Sequence, residues 1–343
     1  MQTADKSVKV VEGITPNTLD FDALMAAQEP VILRGLVSHW TMVQAALQSH
    51  ESAMTYLASF YNGRTVGSYW AGPELKGRYG YNESMTDLNF ERRRVPLTEM
   101  LDDIQAHLYD DEPPSRYVGS TSIDACLPGF RADNDLVFTH PMFEQNPPLA
   151  SIWLGNPSVV AAHYDAPNNI ACCVAGKRRF TLFPPDQIAN LYPGPLEPTP
   201  GGQAISLVDF SNPDLDRFPR FAQALEVAQV ADLEPGDGLF YPSMWWHQVE
   251  GLDRFNAMIN YWWNTSPAYM GTPMNVLKHA LLSLRDRPEH EREAWRKVFD
   301  YYVFGDANTS REHIPEHAWG ELAPLDDVQA RQLRTWLINR LNR

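Results

Sequence analysis

Residues 30–35 form a short apolar run closed by glycine, the pattern of a buried strand, and residues 41–60 repeat apolar positions at helical spacing. Short apolar runs and helical stretches alternate in this way through 16–110. From about 115 to 265 the texture changes. β-Branched and aromatic residues gather at 116–119, 151–155, 169–175, 178–183, 238–241 and 257–263, separated by Pro, Gly, Asn and Asp turns. Strands at that spacing predict a β-sandwich or barrel. A Pro-rich connection fills 186–236, long enough to read as a structureless lid or binding loop. After Pro273 the strands stop and helical spacing returns: Val276, Leu277, Ala280, Leu281 and Leu284, then Val328, Leu333, Trp336, Leu337 and Leu341. A tail striped in this way has to bury its apolar face on the barrel or on a second copy. The pattern predicts a mainly β chain with added helices in three parts. These are N-terminal α/β elements at 1–110, a β core at 111–270 and a C-terminal helical region at 271–343.

Composition narrows the function. Of 343 residues, 44% are hydrophobic and 21% charged, ordinary globular usage rather than that of a disordered chain. The net charge of −15 repels nucleic-acid backbones and anionic membranes, so neither is an expected partner. Residues 1–6 carry no cationic and apolar leader and no long apolar run follows, which predicts a cytoplasmic protein. The adjacent Cys172 and Cys173 point to opposite faces if extended and read as reduced core thiols. Some motifs fail on inspection. Gly176-Lys177 lacks the upstream glycine and the Ser/Thr of a phosphate loop. His313-Ile-Pro-Glu-His317 fits an inverted zinc-protease pattern, but Pro315 would break the helix that pattern requires, leaving a surface turn.

His163-Tyr164-Asp165 survives. On an extended segment residues i and i+2 share a side, so the imidazole and carboxylate could hold one cation. Chance alone supplies about one such pair in a chain of this composition, so context has to carry the argument. A facial triad needs a second His from elsewhere. Pro235-Gly236-Asp237-Gly238 makes a tight turn, 239–241 a strand, and His247 follows an aromatic corner at Trp245-Trp246. A lone His beside Trp is otherwise an ordinary packed core residue.

Further blocks run in the same order: Trp153-Leu-Gly155, Ala162-His-Tyr-Asp165, Asn169, Phe183-Pro-Pro-Asp-Gln187, Leu191-Tyr-Pro193, Val208-Asp-Phe210, Arg217-Phe-Pro219, Pro235-Gly-Asp237, Trp245-Trp-His247 and Asn260. With them the chain resembles the JmjC/cupin-like oxygenases, and its asparaginyl hydroxylase members in particular, from roughly 115 to 265. Residues 30–35 look like an N-terminal strand of the family. The resemblance implies a double-stranded β-helix (jelly-roll) core on which His163, Asp165 and His247 hold Fe(II). It further implies 2-oxoglutarate as cosubstrate and O2 as oxidant. Tyr117, Asn169 and Asn260 fall at cosubstrate-pocket positions and Trp262 beside the metal. The basic residue for the distal carboxylate falls at Arg178, with Lys177 adjacent, and either could point inward. Val160 stands where a family hydroxyl is usual. Ala204-Ile205-Ser206-Leu207 replaces the polar groups that hold a target amide in the asparaginyl hydroxylases, so asparagine is not carried over as the target.

The expected activity is Fe(II)- and 2-oxoglutarate-dependent hydroxylation of a protein or peptide side chain or of a small molecule, releasing succinate and CO2. Family habit and the tail stripe both suggest a homodimer through the C-terminal helices. Two His and a carboxylate suit zinc or manganese as well, so a non-oxygenase metal-binding cupin, an isomerase or small-ligand module, stays open.

Overall fold

Eight strands between residues 149 and 263 are shared between two sheets of the computed structural model, which describes residues 6–144 and 146–342. In the larger sheet they run Gly238–Tyr241, Asn168–Ala175, Asn256–Trp263, Leu149–Gly155. In the smaller they run Gln229–Leu233, Arg178–Phe183, Trp246–Gly251, Ser158–Tyr164. All six of these pairings are antiparallel. Consecutive strands mostly cross from one sheet to the other, which is the order of a jelly roll, the double-stranded β-helix expected from the sequence. Further strands widen the sheets to nine and six. Val31–Leu33 lies beside Gly238–Tyr241, Ser115–Ser122 beside Leu149–Gly155, and the two-residue strand Arg78–Tyr79 beside Ser158–Tyr164.

Alternation explains how these strands serve two compartments. In Asn168–Ala175, Ile170, Cys172 and Val174 face outward onto a core built with the N-terminal helices, including Trp40, Met54, Leu57 and Ile104. Ala171 and Cys173 face the space between the sheets, with Phe180, Leu182, Leu239, Tyr241, Val249 and Met258. The adjacent cysteines therefore sit on opposite faces, both buried and free. The turn before Gly238–Tyr241 is tied down from the N-terminal region. Buried Asp237 accepts from the Gly35 and Glu234 amides, each at 2.9 Å, and pairs with Arg34.

The structure corrects the reading of 186–236 as structureless. It holds the helices Pro185–Ala189 and Phe221–Val227 and a bridge between Pro193 and Ser206. Phe218 and Phe221 pack with Leu191 and Val208 onto Phe183 and Trp246, so the segment covers the outer face of the smaller sheet. The helical stretch at 41–60 is two helices, Thr41–Gln48 and His50–Ser59, divided at Ser49, whose hydroxyl caps the second.

The chain divides into two units, Met1–Asn264 and Thr265–Arg343. The second, taken by itself, carries the helices Pro273–Ser283, Glu289–Phe299 and Asp327–Leu341, the last begun by an Asp326 capping box. Val276, Leu277, Ala280 and Leu281 share an apolar groove with Trp295, Phe299, Val303 and Phe304. Among its described residues only Ser310 and Ala330 are buried. The segment His313 to His317 is a turn running into the short helix Glu316–Ala318. No helix among the described residues is long and apolar enough to cross a membrane.

Candidate metal centre and its pocket

His163 lies near the end of Ser158–Tyr164, and Asp165 follows one residue beyond that strand. His247 is the second residue of Trp246–Gly251 and pairs directly with His163 across the sheet. Their rings stand 4.4 Å apart, and His247 Nε2 is 3.7 Å from Asp165 Oδ2. One ligand atom from each of the three residues falls within 4.8 Å of the others. The turn before His247 is clipped to the segment after Asp165. Met244, at φ +68, donates its amide to the Asp165 carbonyl at 2.8 Å. Ser243 donates its hydroxyl to the Ala166 carbonyl at 2.6 Å and its amide to Asn168 Oδ1 at 3.1 Å. These bonds set the carboxylate against the second imidazole although 82 positions separate them.

Both imidazoles are oriented by their own backbone. His163 Nδ1 donates to the Ala161 carbonyl at 2.9 Å and His247 Nδ1 to the Trp245 carbonyl at 3.0 Å. A carbonyl can only accept, so each Nδ1 carries a proton and each Nε2 is turned toward the cluster, the orientation of a metal-ligating histidine. Burial, reinforced by the neighbouring His163, pushes the pKa of His247 down to about 4. It is therefore neutral near pH 7, as a ligand must be.

That shift has a measurable sign. Unfolded, His247 takes up a proton near pH 6.5; folded, it resists until about 4. Between those values the unfolded chain holds the extra proton, so the metal-free protein loses stability as pH falls, by roughly 3 kcal/mol in all. Denaturant melts at pH 4–7 should show wild type losing about 3 kcal/mol more than His247→Leu as pH falls. Parallel curves would refute a buried neutral imidazole.

From the histidines toward Arg178 the inward side chains of the smaller sheet are Leu182, Phe180, Val249 and Val160, all apolar. Arg178 pairs with Gly251 and Leu233, is 1% exposed, and its Nε and Nη2 have no hydrogen-bond partner among the described residues. Lys177 is not brought here. Its side chain is 56% exposed, with Nζ 3.0 Å from Glu234. Arg179 also points outward, to Asp232. Alternation from Gly176 onward turns only the middle one of the three cations inward. A buried guanidinium with unpaired donors is costly, and a carboxylate is the group that satisfies it bidentately. With three convergent side chains that could hold an ion and the neutral His247 imidazole among them, the chemistry of the chain fits a metal ion and an acid.

The remaining predicted residues line the opposite wall. Asn169 pairs with Trp262 and Tyr241, and its Nδ2 lies 2.5 Å from the Tyr241 hydroxyl while its Oδ1 has no partner among the described residues. Asn260 Oδ1 accepts from Trp153 Nε1 at 2.7 Å, and Trp153 meets Trp262 edge-on at 5.8 Å. Tyr117 is buried beside Trp153; burial raises its pKa, and the Arg178 charge partly offsets that. Val160 packs among the apolar interior residues. The sequence reading passed over Tyr241, whose ring stands 4.7 Å from His247. Its signal was alternation from Leu239 into the same interior.

Comparison with known proteins agrees with this geometry. The cupin-like domain family matches residues 16–269. Lysine-specific demethylase JMJ31 of Arabidopsis thaliana is 33% identical over 184 residues, covering 52% of this chain and 30% of that protein. HSPB1-associated protein 1 of Rattus norvegicus is 32% identical over 148 residues, covering 42% and 30%. Lysine-specific demethylase 8 of Xenopus tropicalis is 26% identical over 246 residues, covering 71% and 50%. The chain thus spans half or less of the length of these relatives. With the family match running through both sheets and all three residues of the cluster, the chain belongs to the cupin-like domain family.

Proposed function

We propose that this chain is an Fe(II)- and 2-oxoglutarate-dependent dioxygenase that hydroxylates a protein or peptide side chain. One observation carries the reading: the His163–Asp165–His247 cluster and buried Arg178, with its unpaired donors, stand on the inward face of the same sheet. Fe(II), 2-oxoglutarate and O2 together would supply the oxidising chemistry, with succinate and CO2 as coproducts. His163, Asp165 and His247 would hold the metal on one face and leave the opposite face open. Arg178 would orient the cosubstrate by its distal carboxylate, a two-pronged grip that Arg makes better than Lys. Asn169 and Asn260, at positions resembling the family's cosubstrate pocket, would bond to its metal-proximal end, and Trp262 would wall the centre. Phe180, Leu182, Val249 and Met258 exclude water along the way and strengthen each polar contact inside. The names of JMJ31 and demethylase 8 describe lysine demethylation, a reaction a hydroxylase of this kind reaches when the hydroxylated carbon is an N-methyl group.

The test is an anaerobic titration of the protein with Fe(II), then 2-oxoglutarate, following visible absorbance. Chelation of the 2-oxo acid gives a weak charge-transfer band, expected in wild type and lost in His163→Ala. Iron binding without the band would leave a metal-binding cupin that is not an oxygenase.

We further propose that the chain works in the cytoplasm as a homodimer through its C-terminal helices. Among the described residues of the unit Thr265–Arg343 almost none is buried, yet Leu282, Val303 and Phe304 are among its exposed apolar side chains. Sedimentation equilibrium should give twice the chain mass, falling to one chain mass in Phe304→Glu. A wild-type monomer would refute the dimer.

A further inference from the structure

The register of the smaller sheet stacks its inward side chains in tiers. His163 pairs with His247, and Leu182 with His247 on its other side. One tier further in, Val160 and Phe180 both pair with Val249. Beyond that, Ser158 and Arg178 both pair with Gly251. From the metal tier to the Arg178 tier is four residues of strand, about 13 Å before the arginine reaches back.

Tyr79 enters the middle tier from the sheet edge, where the strand Arg78–Tyr79 runs parallel to Ser158–Tyr164 and Tyr79 pairs with Val160. Its neighbour Arg78 faces out to Asp209 at 2.6 Å, so Tyr79 faces in, and it is 4% exposed. Its ring meets Tyr117 at 5.6 Å and Tyr69 at 5.8 Å. Its hydroxyl has no hydrogen-bond partner among the described residues. Buried phenols ordinarily find a partner, and Val160, Phe180 and Val249 offer none. An unpaired donor and the unpaired donors of Arg178 thus face the same interior from adjoining tiers. An acid gripped by Arg178 while its other end reaches the metal has to cross the tier that Tyr79 occupies.

We propose that Tyr79 is a cosubstrate-binding residue of this chain, its hydroxyl donating a hydrogen bond to the distal carboxylate of the 2-oxo dicarboxylate that Arg178 holds. The inference rests on the 2-oxoglutarate reading above and adds a residue to it. Burial, with Tyr117 nearby, holds the Tyr79 phenol protonated far above neutral pH, so it remains a donor throughout the working range.

Tyr79→Phe keeps the ring and its stacking and removes only the hydroxyl. In the Mn(II)-loaded protein, calorimetric titration with 2-oxoglutarate should show affinity about tenfold weaker, the loss expected for a bond to a charged group. Mn(II) affinity should not change. The thermal midpoint of the metal-free protein should hold or rise, because an unpaired buried hydroxyl has been removed. A hydroxyl with a structural role would lower that midpoint, and either that result or unaltered 2-oxoglutarate affinity overturns the proposal. Arg178→Met in the same assay separates the two claims. If it binds 2-oxoglutarate as wild type does, the cosubstrate reading itself falls. If it loses binding while Tyr79→Phe does not, only the assignment of Tyr79 falls.

Discussion

Asp165→Ala is expected to end succinate formation and to weaken Fe(II) binding by a hundredfold or more. Loss of a partner that merely orients a ligand already costs 10–100-fold in affinity, and Asp165 would be a ligand itself. It would also be the one anionic ligand; without it two neutral imidazoles face the cation alone. The fold should survive, because the bonds that clip the Met244 turn to this segment run through the Asp165 and Ala166 carbonyls, not the carboxylate. Circular dichroism would check the fold, metal titration the affinity, and succinate release the turnover. Wild-type turnover in Asp165→Ala would remove the cluster from the account of catalysis.

Arg178→Met should give opposite effects on binding and on stability. Removing the cation from a desolvated charge pair costs about 3 kcal/mol, which is a loss of roughly 150-fold in 2-oxoglutarate affinity. The metal-free protein should meanwhile become as stable as wild type or more so. Its guanidinium is 1% exposed with two unpaired nitrogens, and replacing such a group by an apolar side chain of similar volume is neutral or stabilising. Calorimetry and a denaturant melt on one preparation read both signs. Weaker binding with a matching loss of stability would make Arg178 a structural residue.

Much of the core was legible because its strands carry one-sided or wholly apolar patterns. The stretches 178–183 and 238–241 appear in the structure with those limits, and the others shift by a few residues. Ser158–Tyr164 was read only as an extended segment about His163, and Trp246–Gly251 and Gln229–Leu233 were not named as strands. Gln248, Glu250 and Asp232 interrupt the latter two with polar groups, and only pairing to both neighbours makes them regular. The helix Phe221–Val227 was hidden by the prolines before it, and seven residues are too few for a clear period. Within the site, His163, Asp165 and His247 were legible from spacing and resemblance together. The choice between Lys177 and Arg178 was not, since a shift of one residue reverses every side chain of a strand. Register decides it through Gly176, at φ +67, where an added Cβ would meet Asn256 Oδ1 at 2.4 Å. Tyr79 was illegible for a related reason: a two-residue strand has no periodicity to read.

The Met244 turn leads from the chemistry to the life of the chain in the cell. It ties together the ends of an excursion from Asp165 to His247 that contains half of the jelly-roll strands. An ion held by both ends would bind the folded chain and not the open one, and at a hundred times its dissociation constant would add about 2.7 kcal/mol. Against a typical total of 5–15 kcal/mol this is a large share. Supply of that ion would then bear on how long each copy escapes proteolysis, because a copy without it would open more often.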